Sequence, residues 1–229
     1  MKILIVDNNV ERPYWGSPSI CRFAAAVAGA TVHVRRAPQD DLPADLMQFD
    51  RVVLSGSGTS CLAQADWIDN LDSAIRKWVD AGTPLLGVCY GHQSVVRALA
   101  GRQHLQPAEN AEFGWSRIER TEESPLLAGL PKSFWSFSAH FEEVYTLPQG
   151  FKAFAKSDWC GIQGFQLEGK PVFGVQFHPE RNIEEGEDSF RERREKGVPK
   201  VLLHPEKSEK LFDAKVGELI FANFFAFPR

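Results

Sequence analysis

Cysteine is sparse and scattered in this chain. Its four copies, Cys21, Cys61, Cys89 and Cys160, form no C-x-x-C pair and match no Cys/His spacing of a zinc site. That speaks against a disulfide framework and a structural metal, and it places the protein in a reducing compartment, the cytoplasm. Long apolar runs are missing too. None approaches the ~20 residues needed to span a bilayer, and the opening run Lys2-Ile-Leu-Ile-Val6 is too short for a signal-peptide core. Nor is there a strong charge of either sign: 26 Lys and Arg against 30 Asp and Glu leave a net charge of -4. Nucleic acid and anionic membranes are therefore not expected as partners. Without repeats or a convincing linker, the 229 residues, 43% of them hydrophobic, read as one domain, 1–229.

What is present alternates. Residues 2–6, 31–35, 51–54 and 85–88 read as strands, and 17–28, 66–79 and 90–100 as helices. In the second of these helices Trp67, Ile68, Leu71, Ala74, Ile75 and Trp78 recur at helical spacing. Strand–helix alternation predicts an α/β fold with a doubly wound, mostly parallel central sheet flanked by helices. From about residue 112 short strand-like runs follow one another at 112–119, 134–137, 142–146, 152–156, 160–167 and 171–177. These predict additional antiparallel strands. Residues 182–210 form a charged insertion, and 211–226 return to an apolar helix.

Gly87-Val-Cys-Tyr-Gly91 lies between a predicted strand and a predicted helix. A nucleophile elbow is such a turn: it holds its central residue under strain, and glycines two residues away let the backbones approach. The following helix N-terminus favours thiolate over thiol at Cys89. It also offers the Tyr90 backbone N–H as an oxyanion donor. The other three cysteines read as small buried hydrophobes.

Further on, Gly174-Val-Gln-Phe-His-Pro-Glu180 follows an apolar strand. Residues two apart in an extended segment point to one side, so His178 and Glu180 are expected to face together as base and orienter. The H-P-E tripeptide alone also occurs in ordinary loops; beside an elbow cysteine it becomes specific.

With these segments the sequence resembles the class I glutamine amidotransferases, whose elbow reads close to G-x-C-x-G-x-Q and whose base region reads close to F-H-P-E. They stand here as Gly87–Gln93 and Phe177–Glu180. The likeness covers roughly residues 1–180 and the last helix, and it is nearest to the glutaminase domain of GMP synthase. It implies the flavodoxin-like fold of that family, a Cys89–His178–Glu180 triad and a role for Gln93 in substrate binding. It also implies a second oxyanion donor in the glycine turn Ser55-Gly-Ser-Gly58, at the Ser57 N–H. Gly56 and His140 are further candidates for substrate contact. No metal or cofactor is implied.

Two departures stand out. Position 58 lacks the proline usual in that turn, which is expected to loosen it. A segment reading close to S-H-G-D appears here as Ala139-His-Phe-Glu-Glu143. With the sequence ending at Arg229, no synthetase domain is expected on this chain.

The expected reaction is hydrolysis of glutamine to glutamate and ammonia through a γ-glutamyl thioester on Cys89. The ammonia would be released or passed to a synthetase in trans. The same machinery would serve a γ-glutamyl peptide or amine hydrolase, since only pocket width separates the two. A non-catalytic or redox-sensing protein is the reading from another class, disfavoured by the intact His178 and Glu180. For residues 182–210 a solvated helix of mixed charge is preferred over a lid or docking surface. Trp115 and the Phe-rich C-terminal helix read as core.

Overall fold

Strand β1 (Lys2–Asp7) buries side chains on both faces: Ile3 and Ile5 enter one hydrophobic cluster, Leu4 and Val6 another. Burial on both sides is what a parallel strand covered by helices requires. The computed structural model describes residues 1–10, 16–197 and 201–228. In it β1 pairs in parallel with β2 (Thr31–Arg36) and β3 (Arg51–Leu54). Parallel pairing continues from β3 to β4 (Leu85–Val88) and from β4 to β9 (Val172–Val175). Helices α1 (Ser17–Ala25) and α6 (Ala214–Ala226) cover the first face with Ile20, Val216, Ile220 and Phe224. The other is covered by α2 (Asp66–Asp80) and α3 (Tyr90–Ala100), through Leu71, Ile75, Trp78 and Val95. The sheet is thus doubly wound, as the alternation predicts.

The remaining strands pair antiparallel: β5 (Leu105–Arg120), β6 (Ser133–Val144), β7 (Phe151–Lys156) and β8 (Gly164–Leu167). They extend one nine-stranded sheet of order β2-β1-β3-β4-β9-β8-β7-β5-β6. Here the structure differs from the apolar pattern. The runs expected at 134–137 and 142–146 are a single strand, because backbone pairing with β5 continues through Ser138, Ala139 and His140. Conversely, β5 begins at Leu105, before its apolar stretch, and its register shifts between Pro107 and Glu112. A proline is accommodated in a strand at such an irregularity.

The charged segment is not simply solvated. Helix α4 (Ile183–Glu195) opens with a capping box between Asn182 and Glu185 and buries Phe190 beside Phe113, Trp115 and Phe137. Beyond it, Leu203 exchanges backbone hydrogen bonds with Phe113 and Trp115, which ties the segment to β5. A helical turn, α5 (Ser208–Leu211), supplies Ser208, whose hydroxyl accepts from Trp115 Nε1 at 2.9 Å. Trp115 is therefore core, as are Phe221 and Phe224 of α6. No helix among the described residues is long and apolar enough to cross a membrane.

Candidate active site

Cys89 joins β4 to α3 with φ 51° and ψ -103°, a conformation that side-chain-bearing residues avoid. Neighbours hold it there. Its N–H donates to Val175 O at 2.8 Å, and the flanking glycines leave no room for a side chain. A Cβ on Gly87 would lie 2.4 Å from the Gly91 backbone, and one on Gly91 2.5 Å from Leu54 O. The elbow thus needs both glycines for close approach. Tyr90 is the first residue of α3, so its amide belongs to those that a helix leaves without an intrahelical acceptor.

His178 and Glu180 face together as expected, with Nδ1 and Oε1 2.7 Å apart and both residues buried. The backbone achieves this differently from the extended segment predicted. His178 makes an isolated bridge to Phe137, its N–H donating to Phe137 O at 2.7 Å, and Pro179 and Glu180 then turn. Burial alone would push the imidazole down. The charges of the Glu180 carboxylate and of Cys89 outweigh it and raise His178 to about 9.

Gln176 was not singled out by the sequence. Its Nε2 donates to Cys89 Sγ at 3.5 Å, and its Oε1 accepts from Gln93 Nε2 at 3.0 Å. The available signal was its place two residues before His178 in the same motif.

A cavity of ≈730 Å³ opens over Cys89 and is lined by Ser57, Tyr90, Gln93 and His140 among others. Gln93 Nε2 is taken up by Glu142 O (2.7 Å) and Gln176, which leaves its carbonyl oxygen as the atom facing new partners. His140 has both ring nitrogens engaged, Nε2 at 2.9 Å from Glu112 and Nδ1 at 3.2 Å from Glu142 O. It shapes the wall and has no nitrogen left for a ligand.

Gly56 does not line the cavity. Its carbonyl is turned inward, accepting from Asn9 Nδ2 at 3.1 Å and Ser55 Oγ at 2.9 Å. Because the peptide unit is planar and trans, that carbonyl sets the direction of the Ser57 N–H. Asn8 adds a hydrogen bond to Ser55 O at 2.8 Å, while Asp7 Oδ1 holds Asn9 Nδ2 at 2.9 Å. Arg36 donates to Asn9 O at 2.8 Å. The two asparagines that follow β1, held by Asp7 and by Arg36 of β2, thus anchor a turn that was expected to be loose for want of a proline.

Elsewhere, burial pushes the thiols of Cys61, to about 12, and Cys160 upward, as befits inert residues. Glu112, His140 and Cys160 bring possible metal-ligand atoms within 4.8 Å of one another. The carboxylate there already accepts from Gln163 Nε2 and is hydrogen-bonded to the imidazole. These polar groups are satisfied without an ion.

The family described as "Glutamine amidotransferase class-I" matches residues 19–195. The chain is 36% identical over 123 residues to a glutamine-hydrolyzing GMP synthase subunit of Pyrococcus abyssi, covering 53% of this chain and 64% of that protein. To the glutamine-hydrolyzing GMP synthase of Shewanella oneidensis it is 32% identical over 189 residues, 78% of this chain and 34% of that one. It thus spans less than two thirds of either relative. In fold it is similar to a glutamine amido transferase from Methylobacillus flagellatus, with a TM-score of 0.80 at 19% identity over 98% of this chain and 94% of that one. A glutamine amidotransferase from Thermotoga maritima gives 0.77 at 18% identity over 97% and 96%.

Proposed function

Because the chain belongs to the class I glutamine amidotransferase family, we propose that it hydrolyses the γ-carboxamide of L-glutamine through a thioester on Cys89. One observation carries this reading: an elbow cysteine strained at φ 51° stands with a buried His178–Glu180 pair whose Nδ1 and Oε1 lie 2.7 Å apart, and the Glu180 and Cys89 charges raise the imidazole. Such an imidazole carries the proton that departing ammonia needs.

In the proposed sequence Cys89 Sγ attacks the carbonyl carbon of the γ-carboxamide, and the amides of Ser57 and Tyr90 receive the developing oxyanion. His178 gives its proton to the leaving nitrogen as the C–N bond breaks, and ammonia departs. The neutral imidazole then takes a proton from water as it attacks the thioester, which releases glutamate and restores the thiolate–imidazolium pair. Gln93 offers its carbonyl oxygen to the substrate α-ammonium. By likeness to relatives named as glutamine-hydrolyzing subunits of GMP synthase, the ammonia passes to a synthetase in trans.

The test is glutamate and ammonia release from L-glutamine by the purified protein, first by itself and then with a GMP synthetase partner. Equimolar release supports the reading, and no release under either condition rules it out.

Asn9 is the positioning residue for the Ser57 amide in this scheme. Asn9→Ala is expected to lower kcat about 10- to 100-fold with KM near the wild-type value, because a misaimed oxyanion donor is felt in the transition state. Raised KM at constant kcat would instead assign Asn9 to substrate binding.

A further inference from the structure

Gln176 follows β9 directly, is fully buried and does not line the cavity. Its backbone N–H donates to Gln163 O at 2.9 Å, and the Val175 carbonyl before it accepts from Cys89 N–H at 2.8 Å. Residue 176 and the elbow are therefore held to one another by the backbone. The side-chain amide adds two contacts. Nε2 donates to Cys89 Sγ at 3.5 Å, a length suited to the larger radius of sulfur, and Oε1 accepts from Gln93 Nε2 at 3.0 Å.

Neighbours fix the direction of this amide. The backbone carbonyl of Glu142 can only accept, so it takes an N–H from Gln93 Nε2, 2.7 Å away. The same nitrogen offers its second hydrogen to Gln176, where only Oε1 can receive it. Gln176 Nε2 is thereby left for the sulfur. Turned over, the amide would set N–H against N–H at Gln93 and a carbonyl oxygen against Sγ. Both contacts would then be lost among buried groups, at the full cost of unsatisfied donors. A chain running from Glu142 O through Gln93 and Gln176 thus delivers an N–H to the reacting atom. From β6, Ala139 O lies 3.7 Å from Sγ and is an acceptor. Of these two neighbours, only the Gln176 N–H stabilises negative charge on sulfur.

Resting on the proposed amide hydrolysis at Cys89, we propose that Gln176 is a further catalytic residue, whose side-chain N–H holds the sulfur and supports it as an anion. Before attack the N–H orients the thiolate. In the second half of the reaction water adds to the thioester, and His178 takes its proton. The C–S bond then breaks with its electron pair going to sulfur, and Gln176 stabilises the charge that returns there. Gln93 in this arrangement serves the nucleophile as well as the substrate.

Alkylation of Cys89 by iodoacetamide tests the contact without turnover; it is followed on the Cys89 peptide, because Cys21 is only partly buried. Gln176→Met keeps the length of the side chain and has no donor. In this variant the midpoint of the alkylation pH profile is expected to move up by about one unit, the effect of one hydrogen bond to a charged group, with the plateau at high pH retained. The titratable and charged groups around the sulfur are common to both proteins. They include His178 with Glu180 and, on the cavity wall, His140, Glu142, Lys196 and Arg193, the last stacked on Phe113 and Phe141. The shift therefore isolates the amide. Glutamine turnover is expected to show kcat lowered about 10-fold with KM near the wild-type value, since Glu142 O still holds Gln93. An unmoved midpoint, or a raised KM at constant kcat, would overturn the proposal, the second by making Gln176 a support for Gln93 alone. Should Gln176→Met not fold, the native side chain reports instead: in isotope-labelled Cys89→Ala protein the Gln176 amide protons are expected to move upfield for want of their acceptor. Unmoved protons would overturn the contact. A shifted midpoint in a protein that never releases ammonia would retire the hydrolysis reading and leave the contact standing. Normal hydrolysis with an unmoved midpoint would do the reverse.

Discussion

Alanine in place of Cys89 is expected to lower glutamine turnover by about 10⁶-fold, the loss found when the nucleophile of a triad is removed. Glutamate release measures it. The oxyanion amides and the His178–Glu180 pair remain, but no covalent step is left for them to assist. The same position yields a stability result. Residues held in sparsely populated backbone regions cost about 1–3 kcal/mol, and Cys89 sits at φ 51°. Cys89→Gly removes the Cβ that causes the strain, offset by ~0.5–1 kcal/mol of extra backbone entropy in the unfolded chain. In urea denaturation the glycine variant is expected to exceed the alanine variant by about 1 kcal/mol, both being inactive. An alanine variant that still turns over takes the sulfur out of the mechanism, and equal stabilities would show that the elbow stores no strain.

Glu180→Gln is expected to cost about 10⁴-fold in kcat, since it removes the charge that holds and stabilises the imidazolium. It should also change the pH profile. With burial opposed by Glu180 and Cys89, His178 keeps its proton up to about 9. The kcat/KM of the wild-type protein should therefore hold through neutral pH and fall as pH rises through about 9, where the proton for the leaving group is lost. Without the Glu180 charge, burial weighs more heavily and the fall begins at lower pH. Stability follows the same sign: the raised His178 stabilises the fold fully below its unfolded value of about 6.5, and the contribution is lost as pH rises through about 9. An alkaline limb unmoved in Glu180→Gln would free Glu180 from this role.

The elbow was legible because its demand is local. A sharp strand-to-helix turn needs glycine two residues either side, and a side chain on Gly87 or Gly91 would meet the backbone of Gly91 or Leu54 at distances no Cβ tolerates. His178 and Glu180 were legible for a similar reason, although a turn rather than a strand brings them together. The parallel half of the sheet could be read from apolar runs buried on both faces. Strand β6 could not, since Ser138 and His140 interrupt its apolar run while the backbone ladder continues.

Asn9 and Arg193 were beyond reach of the sequence, and Gln176 had only its place two residues before His178. Each is a common polar residue whose meaning lies in what it touches: a carbonyl beyond β3, two rings on β5 and β6, and a sulfur at the start of α3. Sterics and periodicity act between near neighbours, so the sequence by itself determined the elbow, the His–Glu pair and the layered α/β arrangement. The amide contact on the sulfur, the anchoring of the Ser57 turn and the reach of α4 were decided only by the tertiary structure. Hydrogen bonds and stacking between distant segments depend on sheet order and register, and they leave no spacing along the chain from which to read them.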